Sequence, residues 1–154
     1  NSEFNIICVP DSIEYDSLVY GITNIASNSI SILDTYINVV NKGDSNNQKS
    51  IGIYSDGNFG RFIGNNIKSN GSHPEGLELE QASAYGFINE GLFTIINSNN
   101  IIAEWSGRAI GIKSSADEVL IVSNKILSFT IISPPILLQE RAYALFLRYS
   151  NTLL

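Results

Sequence analysis

DSIEYDSLVYGITNIASNSISILDTYINVVN, residues 11–41, is the stretch whose reading decides the fold. Leu18, Ile22, Ile25, Ser29, Leu33, Ile37 and Val40 recur at steps of three and four, which is one stripe of an amphipathic helix. Asp16, Thr23, Ser27, Ser31, Asp34 and Asn38 fall on the opposite face. Asp11 with Glu14 three residues later resembles a capping box, and Lys42-Gly43 reads as a helix stop. A second period runs through the same residues: Ile30, Ile32 and the run Tyr36 to Val40 also alternate as strands do. Gly21 costs a helix about 1 kcal/mol relative to Ala, and the Ser, Asn and β-branched residues around it also lower helix propensity. The spacing predicts a helix packed on the rest of the chain; were the stretch extended, the fold would become an all-β sandwich.

Outward from this segment, Phe4 to Val9 reads as a short strand ended by Pro10. Asp56-Gly57, between Ile51–Ser55 and Asn58–Ile63, is a hairpin signal with Gly57 expected at positive φ. Leu77 to Glu90 reads as a second helix, with Leu77, Gln81, Ala84, Tyr85 and Ile88 on one face. Apolar runs then follow at Leu92–Ile96, Ile101–Trp105, Ala109–Lys113, Glu118–Val122 and Ile126–Ile132, separated by Asn- and Ser-rich turns. That regular spacing predicts an antiparallel meander. After Ser133-Pro134-Pro135, the positions Leu138, Ala142, Leu145 and Tyr149 predict a closing helix. The expected order is β-α-ββ-α-βββββ-α. This is an α+β fold in a single domain, residues 1–154, with no visible repeat of solenoid length.

Composition narrows the chemistry. The chain has 154 residues, 16% of them charged, and a net charge of −6, which argues against a nucleic-acid surface. The lone Cys8 forbids an intramolecular disulfide, and the lone His73 forbids two-histidine metal sites. No Ser sits in a G-x-S-x-G elbow, and no run of 18 apolar residues exists to span a bilayer. No cofactor is expected. A first residue of Asn, where a start would place Met, points to processing or excision.

The remaining local patterns are weak. Asp56 to Asn66 holds three Gly, two Phe and Arg61, but matches neither the dinucleotide nor the P-loop pattern; it reads as a tight hairpin with Phe rings in the core. His73-Pro74-Glu75 has the H-x-E spacing of zinc deaminases without their P-C-x-x-C, and Glu75, Glu78 and Glu80 read as residues of a helix start. Trp105 beside Arg108 is the residue pair most enriched at interface hot spots. Trp105, Arg108, Phe59 and Arg61 are therefore the candidate partner-binding residues. Catalysis needs a placed acid, base, nucleophile or metal, and such groups are sparse, so an enzyme using Glu104 or Asp56 as acid or base is the least favoured reading. The expected function is a non-enzymatic subunit that binds a protein partner, itself or a related chain, as part of an oligomer. The rival readings are a structural or attachment domain of an appendage or virus-like particle, and a small-molecule sensor with a pocket between helix and sheet.

Overall fold

The computed structural model describes residues 2–8, 18–42, 49–71, 83–105, 108–130, 141–147 and 152–153. These form a β-solenoid of five coils, each contributing one strand to each of three parallel sheets. The first coil is β1 (Ser2–Cys8), β2 (Leu18–Asn24) and β3 (Ser31–Leu33). The second is β4 (Thr35–Asn41), β5 (Lys49–Ser55) and β6 (Arg61–Ile63). The third is β7 (Asn66–Gly71), β8 (Ser83–Asn89) and β9 (Ile95–Asn97). The fourth is β10 (Asn100–Trp105), β11 (Arg108–Ser114) and β12 (Val119–Val122). The fifth is β13 (Lys125–Thr130), β14 (Arg141–Leu147) and β15 (Thr152–Leu153). Sheet A stacks β1, β4, β7, β10 and β13; sheet B stacks β2, β5, β8, β11 and β14; sheet C stacks β3, β6, β9, β12 and β15.

The α+β expectation is therefore wrong: no helix occurs among the described residues, and every pairing is parallel. The all-β alternative has the right kind of element but the wrong architecture, since strands pair with the coil above and below and not across a sandwich. Parallel neighbours need a crossover, and here each crossover is made of the strands of the other two sheets. Residues 11–41 show which period wins. Leu18, Ile25 and Leu33 of the helical stripe are exposed while its Ile37 is buried, and Val19, Ile32 and Val39, which lie off the stripe, are buried as well. Strand alternation sorts the residues, and the helical stripe does not. The described parts of the other expected helices, at residues 83–90 and 141–147, hold β8 and β14. The turn signals at Gly43 and Ser133–Pro135 lie outside the described residues.

The expected hairpin is also absent. β5 pairs with β2 and β8 in sheet B, and β6 with β3 and β9 in sheet C. Gly57 is not at positive φ. It is needed because a Cβ there would overlap the carbonyl of Ser27 in the coil beneath.

Two columns of like residues hold the coils in register. Ile37, Ile67, Ile101 and Ile126 stack along the inside of sheet A. Facing them from sheet B are Gly21, Gly52, Gly86 and Gly111. A Cβ on Gly52, Gly86 or Gly111 would run into the methyl of Ile67, Ile101 or Ile126, and into the carbonyl of the neighbouring coil. Inward–outward alternation slips by one residue at this glycine. Val19 and Ile22 both pack inward, while Ile51 and Ile53 belong to different clusters. Ile53, Phe87 and Ile112 join the core with Phe62 and Ile96 from sheet C. The Phe62 and Phe87 rings meet edge to face, with centroids 4.7 Å apart.

The return from sheet C to sheet A carries the main polar column. Asp34, Gly64, Ser98 and Ser123 all have positive φ, and each is followed by an inward Thr35, Asn65, Asn99 or Asn124. Asn65 Nδ2 donates to Ile32 O and to Asn99 Oδ1, and Asn99 Nδ2 donates to Phe62 O and Asn124 Oδ1, at 2.9–3.0 Å. The backbone N–H groups of Thr35, Asn65 and Asn99 donate to the Oδ1 of the Asn one coil on. A buried amide thus finds a partner for each of its groups. Removing one strands buried donors and acceptors, each worth about 1–3 kcal/mol. Asn99→Ala is expected to lower unfolding free energy by about 3 kcal/mol or more. Asn97→Ala, on the outer side of sheet C, should cost under about 0.5 kcal/mol. Equal costs in urea titrations would refute the column's role.

Candidate functional surface

Among the described residues, sheet C and the corner leading into it from sheet B carry several exposed large apolar side chains. Registers align Ser29, Phe59, Phe93 and Glu118 as one column at this corner. All four have positive φ, at 62°, 59°, 54° and 56°. For a bulky residue this conformation costs about 1–2 kcal/mol, and glycine would avoid that cost. Yet two of the four are Phe, 51% and 46% exposed, with rings stacked 5.0 Å apart and only 5° from parallel. Exposed Leu92 adjoins them, its N–H held by Asn58 Oδ1 at 2.9 Å. The two rings are held outward on positive-φ backbone and stack on each other, not in the core.

Strand alternation sets the remaining positions of this face. Ser31, Arg61, Ile95 and Leu120 form the next outward column, and Leu33, Ile63, Asn97 and Val122 the one after. Leu33 is half exposed, and Arg61 is exposed. Arg61 and Glu118 are the charged side chains among these twelve positions.

The expected partner residues divide between two corners. Phe59 and Arg61 lie together on this surface, and Phe93 and Leu92, which the sequence reading did not select, complete it. Arg108 is exposed at the start of β11, paired in backbone register with Ser83 and Arg141 at the corner between sheets A and B. Trp105 ends β10 in register with Thr130, and its side chain lies outside the described part. Of the two Phe in the Asp56–Asn66 stretch, only Phe62 is in the core.

The pocket between helix and sheet that the sensor reading expects has no counterpart among the described residues, which hold no helix. Glu104 lies 4.0 Å from Lys68 on the outer side of sheet A, and Asp56 Oδ1 accepts the N–H of Ala26 at 2.6 Å, so the two carboxylates occupy separate places. His73, Glu75, Glu78 and Glu80 lie outside the described residues. Among the described residues no three His, Cys, Asp or Glu side chains gather into a metal-binding group. No helix among them is long and apolar enough to cross a membrane.

The outer side of sheet B carries a second cluster, Tyr20, Ile51, Tyr54, Tyr85, Ile88 and Ile110. Lys113 Nζ sits 5.9 Å from the Tyr85 ring centroid, and Tyr20 meets Tyr54 edge to face. The Tyr54 hydroxyl donates to Glu90 Oε2 at 2.8 Å. That hydrogen bond, with partial burial and the Glu90 charge, pushes the Tyr54 phenol up to about 12 from its ordinary 10. No family model, curated protein or solved structure matches this chain.

Two expectations follow from these contacts. Because the phenol is raised, its stabilising contribution is full below pH 10 and is lost as pH climbs toward 12. Tyr54→Phe should therefore lose stability less steeply than wild type across that window in denaturant titrations; parallel slopes would contradict the assignment. At the corner, Phe59→Gly relieves strained backbone but gives up ring stacking and adds unfolded-state freedom, so its net effect should stay within about 1 kcal/mol. Phe62→Ala, from the core, should cost about 3–5 kcal/mol.

Proposed function

We propose that this chain is a non-enzymatic interaction module whose sheet C surface docks against another protein. The observation that carries the reading is the exposed Phe59–Phe93 stack, two aromatic rings presented on positive-φ backbone next to Leu92, with Leu33 and Ile63 two columns farther along the same face. Rigid aromatic side chains with their neighbours already ordered lose little entropy on binding, which is why they dominate interface energetics. An apolar outward surface of this kind is a liability in water unless it has an occupant. The attachment or particle-subunit reading is favoured by a second observation. The segment 18–41 is extended throughout its three strands, and stacked coils give a repetitive surface suited to contact and not to a deep pocket. Both readings act through surface contact, and they differ in the identity of the partner.

A benzoylphenylalanine photo-crosslinker placed at Leu92 tests the docking surface. In native preparations it is expected to form polypeptide adducts, mapped by mass spectrometry. The same group at Asn66, exposed on the outer side of sheet A, should form several-fold fewer. Equal yields at the two positions, or adducts confined to non-protein material at Leu92, would overturn the proposal.

A further inference from the structure

We infer that the occupant of the sheet C surface is a second copy of this chain, related by a two-fold axis running along β9; this rests on the docking reading above and names its partner. The argument is charge placement. Of the outward positions in the Phe column and in β3, β6, β9 and β12, only Arg61 and Glu118 carry charge, and they lie in the second and fourth coils. β9 is the middle strand of the five in sheet C. A two-fold axis along it therefore sets the second coil of one copy against the fourth coil of the other. Arg61 then faces the partner's Leu120, with the partner's Glu118 two residues earlier on the same coil, about 7 Å along the strand. A long guanidinium side chain spans that offset, and symmetry makes the pair twice. Phe93 and Ile95, on the axis, meet their own copies, so the apolar centre is self-complementary.

Rotation about the strand direction keeps the strands of the two copies aligned, which is one of the two usual ways for sheets to pack face to face. The alternative axis along the solenoid would bring Arg61 against the partner's Arg61, a like-charge contact. Electrostatics therefore selects one arrangement of the pair. Five coils at the usual strand spacing make a surface only about 24 Å tall. Such an area sits at the small end for specific interfaces, so the dimer is expected to form at micromolar and not nanomolar concentration.

Charge exchange tests the pairing. In sedimentation velocity across the micromolar range, wild type is expected to pass from 16.8 kDa monomer to dimer. Arg61→Glu and Glu118→Arg should each weaken dimerisation at least tenfold. The double exchange should restore it to within about threefold of wild type, because each pair is re-formed with its signs reversed. Arg108→Glu, at the opposite corner, should leave dimerisation unchanged and so controls for bulk charge. Circular dichroism and melting temperature confirm that each variant is folded, as these side chains are exposed. A wild type that stays monomeric to high micromolar concentration, or single variants that dimerise like wild type, would overturn the inference. So would a double variant no tighter than the singles. If Leu92 crosslinks to a different polypeptide while the chain stays monomeric, the docking reading stands and the self-pairing falls.

Discussion

The fold depends on one constraint: the chain must turn from sheet C to sheet A within one or two residues while burying that turn's backbone. Parallel stacking leaves the turn no water to satisfy its N–H and C=O groups, and buried peptide groups must be paired. An Asn side chain is a peptide amide on a one-carbon stem, with the same donor and acceptor. At Asn65, Asn99 and Asn124 it continues the coil-to-coil ladder where the main chain cannot. Thr35 starts the column by lending its backbone N–H to Asn65 Oδ1. The residue before each inward position must take positive φ to aim that side chain inside, which is why Asp, Gly and Ser stand there. Once this corner is pinned, the Ile column of sheet A and the glycine column of sheet B are held in line.

Strand positions in the C-terminal half were legible from sequence, and their pairing was not. Ile101–Trp105, Ala109–Lys113 and Ile126–Ile132 fall on β10, β11 and β13 within a residue or two at each end. Short apolar runs split by Asn–Ser turns look the same whether strands return antiparallel or climb a solenoid. What distinguishes them is a repeat, and here the repeat is uneven. Stacked partners lie 31 residues apart between Asn24 and Ser55, 34 between Asn65 and Asn99, and 25 between Asn99 and Asn124. The unevenness comes mainly from the connections between sheets A and B, so a search at fixed period fails. Two local patterns survive it. One is Gly followed by Ile or Phe at Gly21, Gly52, Gly86 and Gly111. The other is a turn residue, then Asn or Thr, then one residue and Ile, at Asp34–Ile37, Gly64–Ile67, Ser98–Ile101 and Ser123–Ile126.

The error at residues 11–41 has the same root. A sequence rich in Ile at irregular spacing offers a helical stripe by chance, and counting apolar positions alone does not separate the periods. The glycine slip worsens this. Val19 and Ile22, both inward, are three apart, as they would be on one side of a helix. Gly21 lets a strand imitate helical spacing, because losing one step of alternation turns a separation of two into three. A Gly inside an apolar strand-like run was the local clue, since a close backbone approach removes the room for a Cβ.

On the surface, the same stacking decides what can be read. Any side chain at an outward corner position is repeated along the solenoid at the strand spacing of about 4.8 Å, so one aromatic becomes a stack only when the equivalent residue of the next coil matches it. Phe59 alone reads either as a core residue of a hairpin or as a candidate partner contact. Its meaning depends on Phe93, 34 residues later, through a register that sequence did not reveal. Arg61 acquires significance in the same way, as the cation two coils from Glu118 on a face whose other described outward positions in the first four coils are uncharged. Candidate contacts in a solenoid therefore have to be judged by column, because a column fixes both the neighbours of each side chain and its partner under any two-fold axis.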